Sequence, residues 1–286
     1  MINVLNTEVS FYRNLKDYKF VPKLEQDKAI EIVEKVTPVL TSKLTKSSES
    51  NSTFVNKSVD LWVTLNEGEH IKISSKKCGF NLHAYDEAKA IEELLKSKLS
   101  LSYNDEYGYL MSDVTLLGNG LVIKSCVNLY NLNRLNKIEQ VKQNMRKLGF
   151  GLTHVGGNVF ELSTTCALGF SESEILSEFE KVLTKLVDLE LESLKIVELN
   201  HRDEMIDASL RSEAVLNSAY LIKRVQLDAD LSMLINGVNM GTVKVEDKII
   251  HELYKLYLSH EPVESIEDFK NLAKKVKSIL KGGKNV

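Results

Sequence analysis

The chain has 286 residues with a formal net charge of −3, and hydrophobic residues make up 43% of it. This length fits one large domain, or a domain of about 200 residues with a smaller appendage. The ordinary composition excludes a disordered protein, and the slightly acidic charge argues against a nucleic-acid partner. No apolar run reaches the roughly 18 residues that a membrane-spanning helix needs, so we expect no membrane association.

The cysteines and the N-terminus bear on the compartment. Cys78, Cys126 and Cys166 are widely spaced and form no zinc-binding pattern, which suits a reducing environment. The first residues lack the basic and apolar regions of a secretory signal. We therefore expect a cytoplasmic location.

The first half of the chain alternates between helical and strand patterns. Apolar residues at helical spacing predict a helix over residues 23–36. Residues 41–58 are rich in Ser, Thr and Asn and are predicted to form an exposed loop. Alternating stretches over residues 60–65 and 69–74 predict a hairpin with its turn at residues 66–68.

The middle of the chain continues with both kinds of pattern. Helices are predicted over residues 86–99 and 134–148, and strands over residues 121–129 and 159–162.

Only helical patterns follow. Ser171 and Glu174 fit a capping box at the start of a helix that extends to about residue 197. Further helices are predicted over residues 204–216, 217–235, 246–259 and 265–281. We place a domain boundary near residue 200. The predicted architecture is α+β, followed by a small all-α domain.

Five segments, in order along the chain, carry a family resemblance. They are residues 8–15 (EVSFYRNL), 66–73 (NEGEHIKI), 107–122 (YGYLMSDVTLLGNGLV), 151–163 (GLTHVGGNVFELS) and 167–172 (ALGFSE). Together they resemble the ATP:guanido phosphotransferases, and among them most closely the bacterial protein arginine kinases. The resemblance implies an antiparallel sheet flanked by helices in a catalytic domain over residues 1–200. It also implies a helical C-terminal domain over residues 201–286, which is a candidate for dimerisation.

The chemistry of this family sets the side chains that are needed. Phosphoryl transfer from ATP requires cations and a magnesium ion around the phosphates. The guanidinium group that accepts the phosphate requires carboxylates to orient it and take its proton. The resemblance implies arginines for the first task and glutamates for the second.

The phosphate-binding arginines are mostly replaced. By position in the motifs, two of them correspond to Glu8 and Ser10, a third to Lys72 and a fourth to Val122. Arg13 matches a further arginine of the first motif, for which we expect a structural role.

The positions that handle the guanidinium are also altered. The catalytic glutamate of the second motif corresponds to Gly68, and the reactive cysteine of the third motif to Asp113. The acidic, glycine-rich loop of the fourth motif is shortened to the pair at residues 156–157, which leaves His154 and Glu161 as the polar candidates nearby.

The binding free energy that is lost with these side chains favours an inactive site. The resemblance implies a further arginine in the loop that is shortened here, so with Glu8, Ser10 and Val122 four cationic partners are lost. One charge-assisted hydrogen bond contributes about 1.5–3 kcal/mol, so four lost partners forfeit about 6–12 kcal/mol. Micromolar binding amounts to only about 8 kcal/mol. We therefore expect ATP binding in the family's mode to fail.

Alternatives remain at several positions. Glu67 or Glu69 is a candidate to replace the missing glutamate, although both fit ordinary turn residues. Asp113 is either a metal ligand or a capping residue, and His154 is either a phosphate donor or a loop histidine.

Two functions follow from these residues. The first is a pseudokinase related to protein arginine kinase, without a cofactor, that acts by binding or regulation. Its expected partner is a second copy of the chain or an intact kinase paralogue. The alternative is a divergent, active protein arginine kinase that uses Mg-ATP, with Lys72, Asp113 and Glu67 or Glu69 rebuilding the site.

Overall fold

An eight-stranded antiparallel sheet forms the centre of the fold, in a computed structural model that describes residues 1–48, 50, 52–56, 58–259 and 264–282. The strands are β1 (Val4–Arg13), β2 (Thr45–Lys46), β3 (Thr53–Asn56), β4 (Leu61–Glu67), β5 (Glu69–Cys78), β6 (Tyr103–Asn104), β7 (Gly108–Tyr109), β8 (Leu121–Asn128), β9 (Phe150–Gly156) and β10 (Val159–Thr164). The order in the sheet is β2-β3-β4-β5-β1-β8-β10-β9, while β6 and β7 pair separately.

The helices surround this sheet and continue beyond it. They are α1 (Gln26–Leu40), α2 (His83–Lys98), α3 (Tyr130–Arg134), α4 (Ile138–Lys147), α5 (Glu172–Ser218), α6 (Arg224–Asn239), α7 (Asp247–Leu258) and α8 (Ile266–Gly282). No helix in the described ranges is both long and apolar enough to span a membrane.

The central strand β1 explains why the sheet has two different faces. Successive side chains of a strand point to opposite sides, so Phe11 enters the main core with residues of α1, α2, α4 and α5. Ser10 and Tyr12 lie on the other face, which we call the open face. The helical region packs on one end of that face, where Cys126 and Val159 join its core.

The α+β fold with an antiparallel sheet is confirmed, and one local prediction is wrong. The stretch over residues 41–58 contains β2 and β3 rather than only an exposed loop. Phe54 is fully buried there, and β3 pairs with β4 through the Phe54–Val63 register. Because Phe54 is the one fully buried side chain of β3, the strand shows no alternating apolar pattern.

Several helix boundaries also differ from the predictions, among them those of α6, which was predicted over residues 217–235. The helix predicted over residues 134–148 is split between α3 and α4, and Asn136 in the gap has a left-handed φ of 56°. The helices predicted around residue 200 are joined in α5, where His201 has non-helical angles (φ −143°, ψ 34°). The domain boundary that we predicted near residue 200 thus falls at a kink within one long helix.

Candidate functional site

Six residues that the sequence singled out line one cavity of about 450 Å³ on the open face. They are Glu67, Gly68, Glu69, Lys72, Asp113 and Val122. Tyr12, Ser112 and Lys124 contribute to the same wall. Lys124 is a residue that the motifs did not indicate, although it follows Val122 by two residues on β8 and strand periodicity would have placed it on this face.

The turn between β4 and β5 has a backbone that suits glycine. Gly68 has a φ of 79°, in the left-handed region where residues with a Cβ are strained. Glu67 precedes it and is exposed on the cavity wall. The position that the resemblance assigns to a catalytic glutamate therefore carries no side chain, and its backbone is one in which a residue with a Cβ would be strained.

Glu69 holds the neighbouring loop instead of facing the cavity as a free base. Its Oε1 accepts hydrogen bonds from Ser112 N (2.8 Å), Ser112 Oγ (2.7 Å) and Asp113 N (3.1 Å). Its Oε2 accepts one from Asn14 Nδ2 (2.6 Å). With these bonds the buried carboxylate positions the loop, and its oxygens are already engaged.

Asp113 caps a short turn. Its Oδ1 accepts hydrogen bonds from Thr115 N (2.9 Å) and Thr115 Oγ1 (2.7 Å) at the start of the 3₁₀ helix Val114–Leu116. This geometry matches the capping interpretation. No group of three or more His, Cys, Asp and Glu residues in the described part of the chain is placed to hold a metal ion.

Glu8 and Ser10 lie deeper along β1 and do not line the cavity. Ser10 is buried, and its Oγ is 2.8 Å from Ser74 Oγ on β5. Glu8 Oε2 lies 3.8 Å from Lys76 Nζ. Ser10 is thus satisfied by a cross-strand neighbour, and the carboxylate of Glu8 makes only a long contact with its neighbour on β5.

The charges around the cavity oppose a phosphate ligand. Lys124 Nζ is paired with Glu161 Oε1 at 2.9 Å, and Lys72 Nζ lies 5.9 Å from the centroid of the Tyr12 ring. Burial raises the pKa of Tyr12 to about 12, with further contributions from Glu8, Glu67, Asp113 and Glu69. Four carboxylates thus act on one phenol at the cavity wall.

His154 lies away from this cavity. Its Nε2 is 2.9 Å from Gly157 O in the β9–β10 turn. That turn packs on α6, where Asp228 accepts hydrogen bonds from Asn158 N (3.3 Å) and Nδ2 (3.0 Å). The cavity instead takes Ser163 and Thr164 from the opposite end of β10, about 16 Å along the strand. The shortened loop is therefore docked on the helical region.

Arg13 has the structural role expected for it. The residue is fully buried, and its Nε donates to Glu92 Oε1 at 2.9 Å. Its Nη1 donates to the carbonyl oxygens of Tyr12 (2.6 Å) and Asn119 (2.8 Å). These bonds engage the guanidinium inside the core rather than at the cavity.

The cavity does not fit Mg-ATP in the manner that the motifs imply. Among the described residues, no arginine lines it, and Lys72 and Lys124 are its cations. A triphosphate needs several charge-assisted donors. The donor set therefore lacks the forked cations that would hold the phosphates.

Comparisons with known proteins agree on one protein family. Residues 1–193 match the family model described as ATP:guanido phosphotransferase, C-terminal catalytic domain. The protein-arginine kinase of Clostridium tetani is 24% identical over 288 residues, covering 87% of this chain and 85% of that protein. A protein-arginine kinase of Clostridium perfringens is 30% identical over 206 residues, covering 69% of this chain and 61% of that protein. This chain therefore spans less than two thirds of the length of the Clostridium perfringens protein.

Solved structures show the same fold. The duplicated taurocyamine kinase of Schistosoma mansoni, with bound transition-state analogue components, gives a TM-score of 0.57 at 21% identity and covers 65% of this chain and 32% of that one. Lombricine kinase gives a TM-score of 0.54 at 21% identity and covers 65% of this chain and 66% of that one. At this identity the likeness concerns the fold alone.

Proposed function

We propose that this chain, which belongs to the ATP:guanido phosphotransferase family, is a catalytically impaired homologue of protein-arginine kinase that acts by binding or regulation. The observation that carries the proposal is the pairing of Lys124, one of the two lysines that line the cavity, with a carboxylate. Lys124 is engaged by Glu161 at 2.9 Å.

The physical reason is electrostatic. A triphosphate would have to displace the Glu161 carboxylate from Lys124 before using that lysine, and it would also approach the carboxylates that raise the pKa of Tyr12. Repulsion between the phosphates and these carboxylates costs free energy unless nearby cations compensate it. The proposal therefore includes no bound Mg-ATP.

One observation favours the alternative, a divergent active kinase. Glu67, Lys72 and Asp113 line the same cavity, so a carboxylate, a cation and a second carboxylate are close to one another. In that function Lys72 would contact phosphate and Glu67 would orient the guanidinium.

A phosphate-transfer assay separates the two functions. The full chain is incubated with labelled ATP, magnesium or manganese, and an arginine-rich protein, and we expect no incorporation. Incorporation that is lost in Lys72→Ala but kept in Lys96→Ala, a lysine outside this cavity, would contradict the proposal and support the alternative.

The same proposal concerns partners and location. The helical region exposes Tyr220, Leu221, Val225 and Ile266, which supports association with a second copy or with an intact kinase paralogue. The three cysteines are free thiols, which supports a place in the reducing cytoplasm.

A further inference from the structure

A second cavity, of about 270 Å³, lies where the sheet meets α7. We call it the seam cavity. Its wall includes Trp62 from β4, Lys76 and Lys77 from β5, and His251, Lys255 and Leu258 from the helical region. A molecule bound there would contact both parts of the chain.

The polar half of the seam cavity is cationic. Three lysines line it against one aspartate, Asp60. Lys77 Nζ forms an ion pair with Glu87 Oε1 at 2.6 Å, and Lys255 Nζ lies 2.8 Å from Asp60 Oδ2. Lys76 is 3.8 Å from Glu8, which is too long for a strong hydrogen bond. Lys76 can therefore take an anionic ligand at little cost.

His251 also lies on this wall. Its Nε2 has almost no exposed surface and no hydrogen-bond partner among the described residues, so a ligand in the cavity does not reach it directly. The anionic end of a ligand therefore meets the lysine ammonium groups rather than the imidazole.

The other half of the seam cavity is apolar and includes the planar indole ring of Trp62. Trp62 pairs with Ser74 in the β4–β5 register, so it shares a face with Lys76, two residues further along β5. Leu258 lies on the α7 side of the cavity. The volume is just under the roughly 300 Å³ at which drug-sized pockets begin, so it suits a molecule with a single ring.

We propose that the seam cavity binds a small organic anion with one planar ring. The anionic group contacts Lys76 and shares Lys255 with Asp60, whose exposed pair with that lysine contributes little free energy, and the ring lies against Trp62. The bound molecule bridges β5 and α7 and so couples the sheet to the helical region. This site is separate from the cavity at Gly68 and does not depend on the function proposed for that cavity.

Trp62 is the only tryptophan in the chain, so its emission reports on this cavity directly. The full chain is titrated with phenyl phosphate, with benzoate, and with benzylammonium as a cation of similar shape. We expect a saturable change in emission with at least one anion and none with benzylammonium. The stronger of the two anions identifies the ligand as a phosphate ester or a carboxylate.

Two variants test the assigned contacts. Lys76→Met and Lys255→Met keep an aliphatic stem and should each raise the dissociation constant about tenfold or more, as expected for one lost charge-assisted hydrogen bond. Lys181→Met, on exposed α5 surface outside the seam cavity, should leave it unchanged. Circular dichroism confirms that each variant is folded. The proposal is overturned by the absence of a saturable change with both anions, by equal binding of benzylammonium, or by undiminished affinity in both folded lysine variants.

Discussion

Arg13 and Glu92 form an ion pair with both side chains fully buried, and Arg13 Nη2 lies 2.8 Å from Glu92 Oε1. Burial alone would raise the pKa of Glu92, but Arg13 and Lys89 outweigh it and lower that pKa. The arginine also stacks on Tyr109, with its Cζ 3.7 Å from the ring centroid. An arginine from a phosphate-binding motif thus serves to join β1 to α2.

Removing this arginine should be costly. We expect Arg13→Ala to lower the free energy of unfolding by about 3–5 kcal/mol, because the buried Glu92 would lose one of its two cationic partners and keep only Lys89 at 3.1 Å. Chemical denaturation measures the change. The control is Arg211→Ala, which breaks the exposed pair with Asp207 (2.8 Å) and should cost at most about 1 kcal/mol. Equal losses in the two variants would contradict a structural role for Arg13.

Two glutamates on either side of Gly68 should behave differently. Glu69→Ala leaves the backbone N–H groups of Ser112 and Asp113 without their acceptor, so we expect a loss of at least about 3 kcal/mol in unfolding free energy. Glu67→Ala removes an exposed side chain and should change stability by about 0.5 kcal/mol or less. A stable Glu69→Ala protein would show that Glu69 does not hold the loop.

Acid should destabilise the protein through His70. Its Nδ1 accepts a hydrogen bond from Leu15 N at 3.0 Å, and Nε2 lies 2.9 Å from Lys19 O. Burial lowers the pKa of His70 below its ordinary value of 6.5. The unfolded chain therefore binds more protons, and the stability that neutral His70 contributes is lost as the pH falls below about 6.5.

The control for this pH dependence is an exposed histidine. Unfolding free energy is measured between neutral pH and pH values below the ordinary histidine range, for the native chain, His70→Gln and His83→Gln. His70→Gln should flatten part of the slope, whereas His83, which is exposed, should leave it intact. His251 contributes with the same sign because burial lowers its pKa as well. An unchanged slope in His70→Gln would contradict the assignment.

Association should depend on the exposed apolar side chains of the helical region. Lys270 Nζ lies 5.6 Å from the centroid of the Tyr220 ring, and Ile222 N donates to Phe269 O at 3.2 Å. These contacts join the segment after α5 to α8. We expect the chain to sediment as a dimer and Val225→Glu to shift it to a monomer. Leu199→Glu, which changes an exposed side chain of α5, serves as the control. A monomeric native chain at all concentrations would contradict self-association.

The sequence predicted those parts of the fold that local patterns determine. Strand alternation and the turn at residues 66–68 gave the β4–β5 hairpin, and the capping box at Ser171 gave the start of α5. Strands β2 and β3 were missed because Phe54 was the only strong core signal between them. The helix predicted up to residue 36 continues past Pro38 to Leu40.

The site was predictable as a set of positions but not as a set of contacts. Motif positions brought together residues of the Gly68 cavity, because Glu67, Lys72 and Val122 lie on β4, β5 and β8 of one sheet. Asp113 joins them from the loop before β8. The place of His154 was not predictable, because it depends on the docking of Asn158 against Asp228, 70 residues away. The role of Glu69 likewise depends on Ser112, which is distant in the chain.

Calorimetric titration of the purified chain with Mg-ATP measures directly whether the cavity binds the nucleotide. We expect no binding heat at micromolar nucleotide for the native chain. We expect stronger nucleotide binding in Val122→Arg, which returns a cation to the cavity wall at a position that is not fully buried. A micromolar dissociation constant for the native chain would contradict the first expectation.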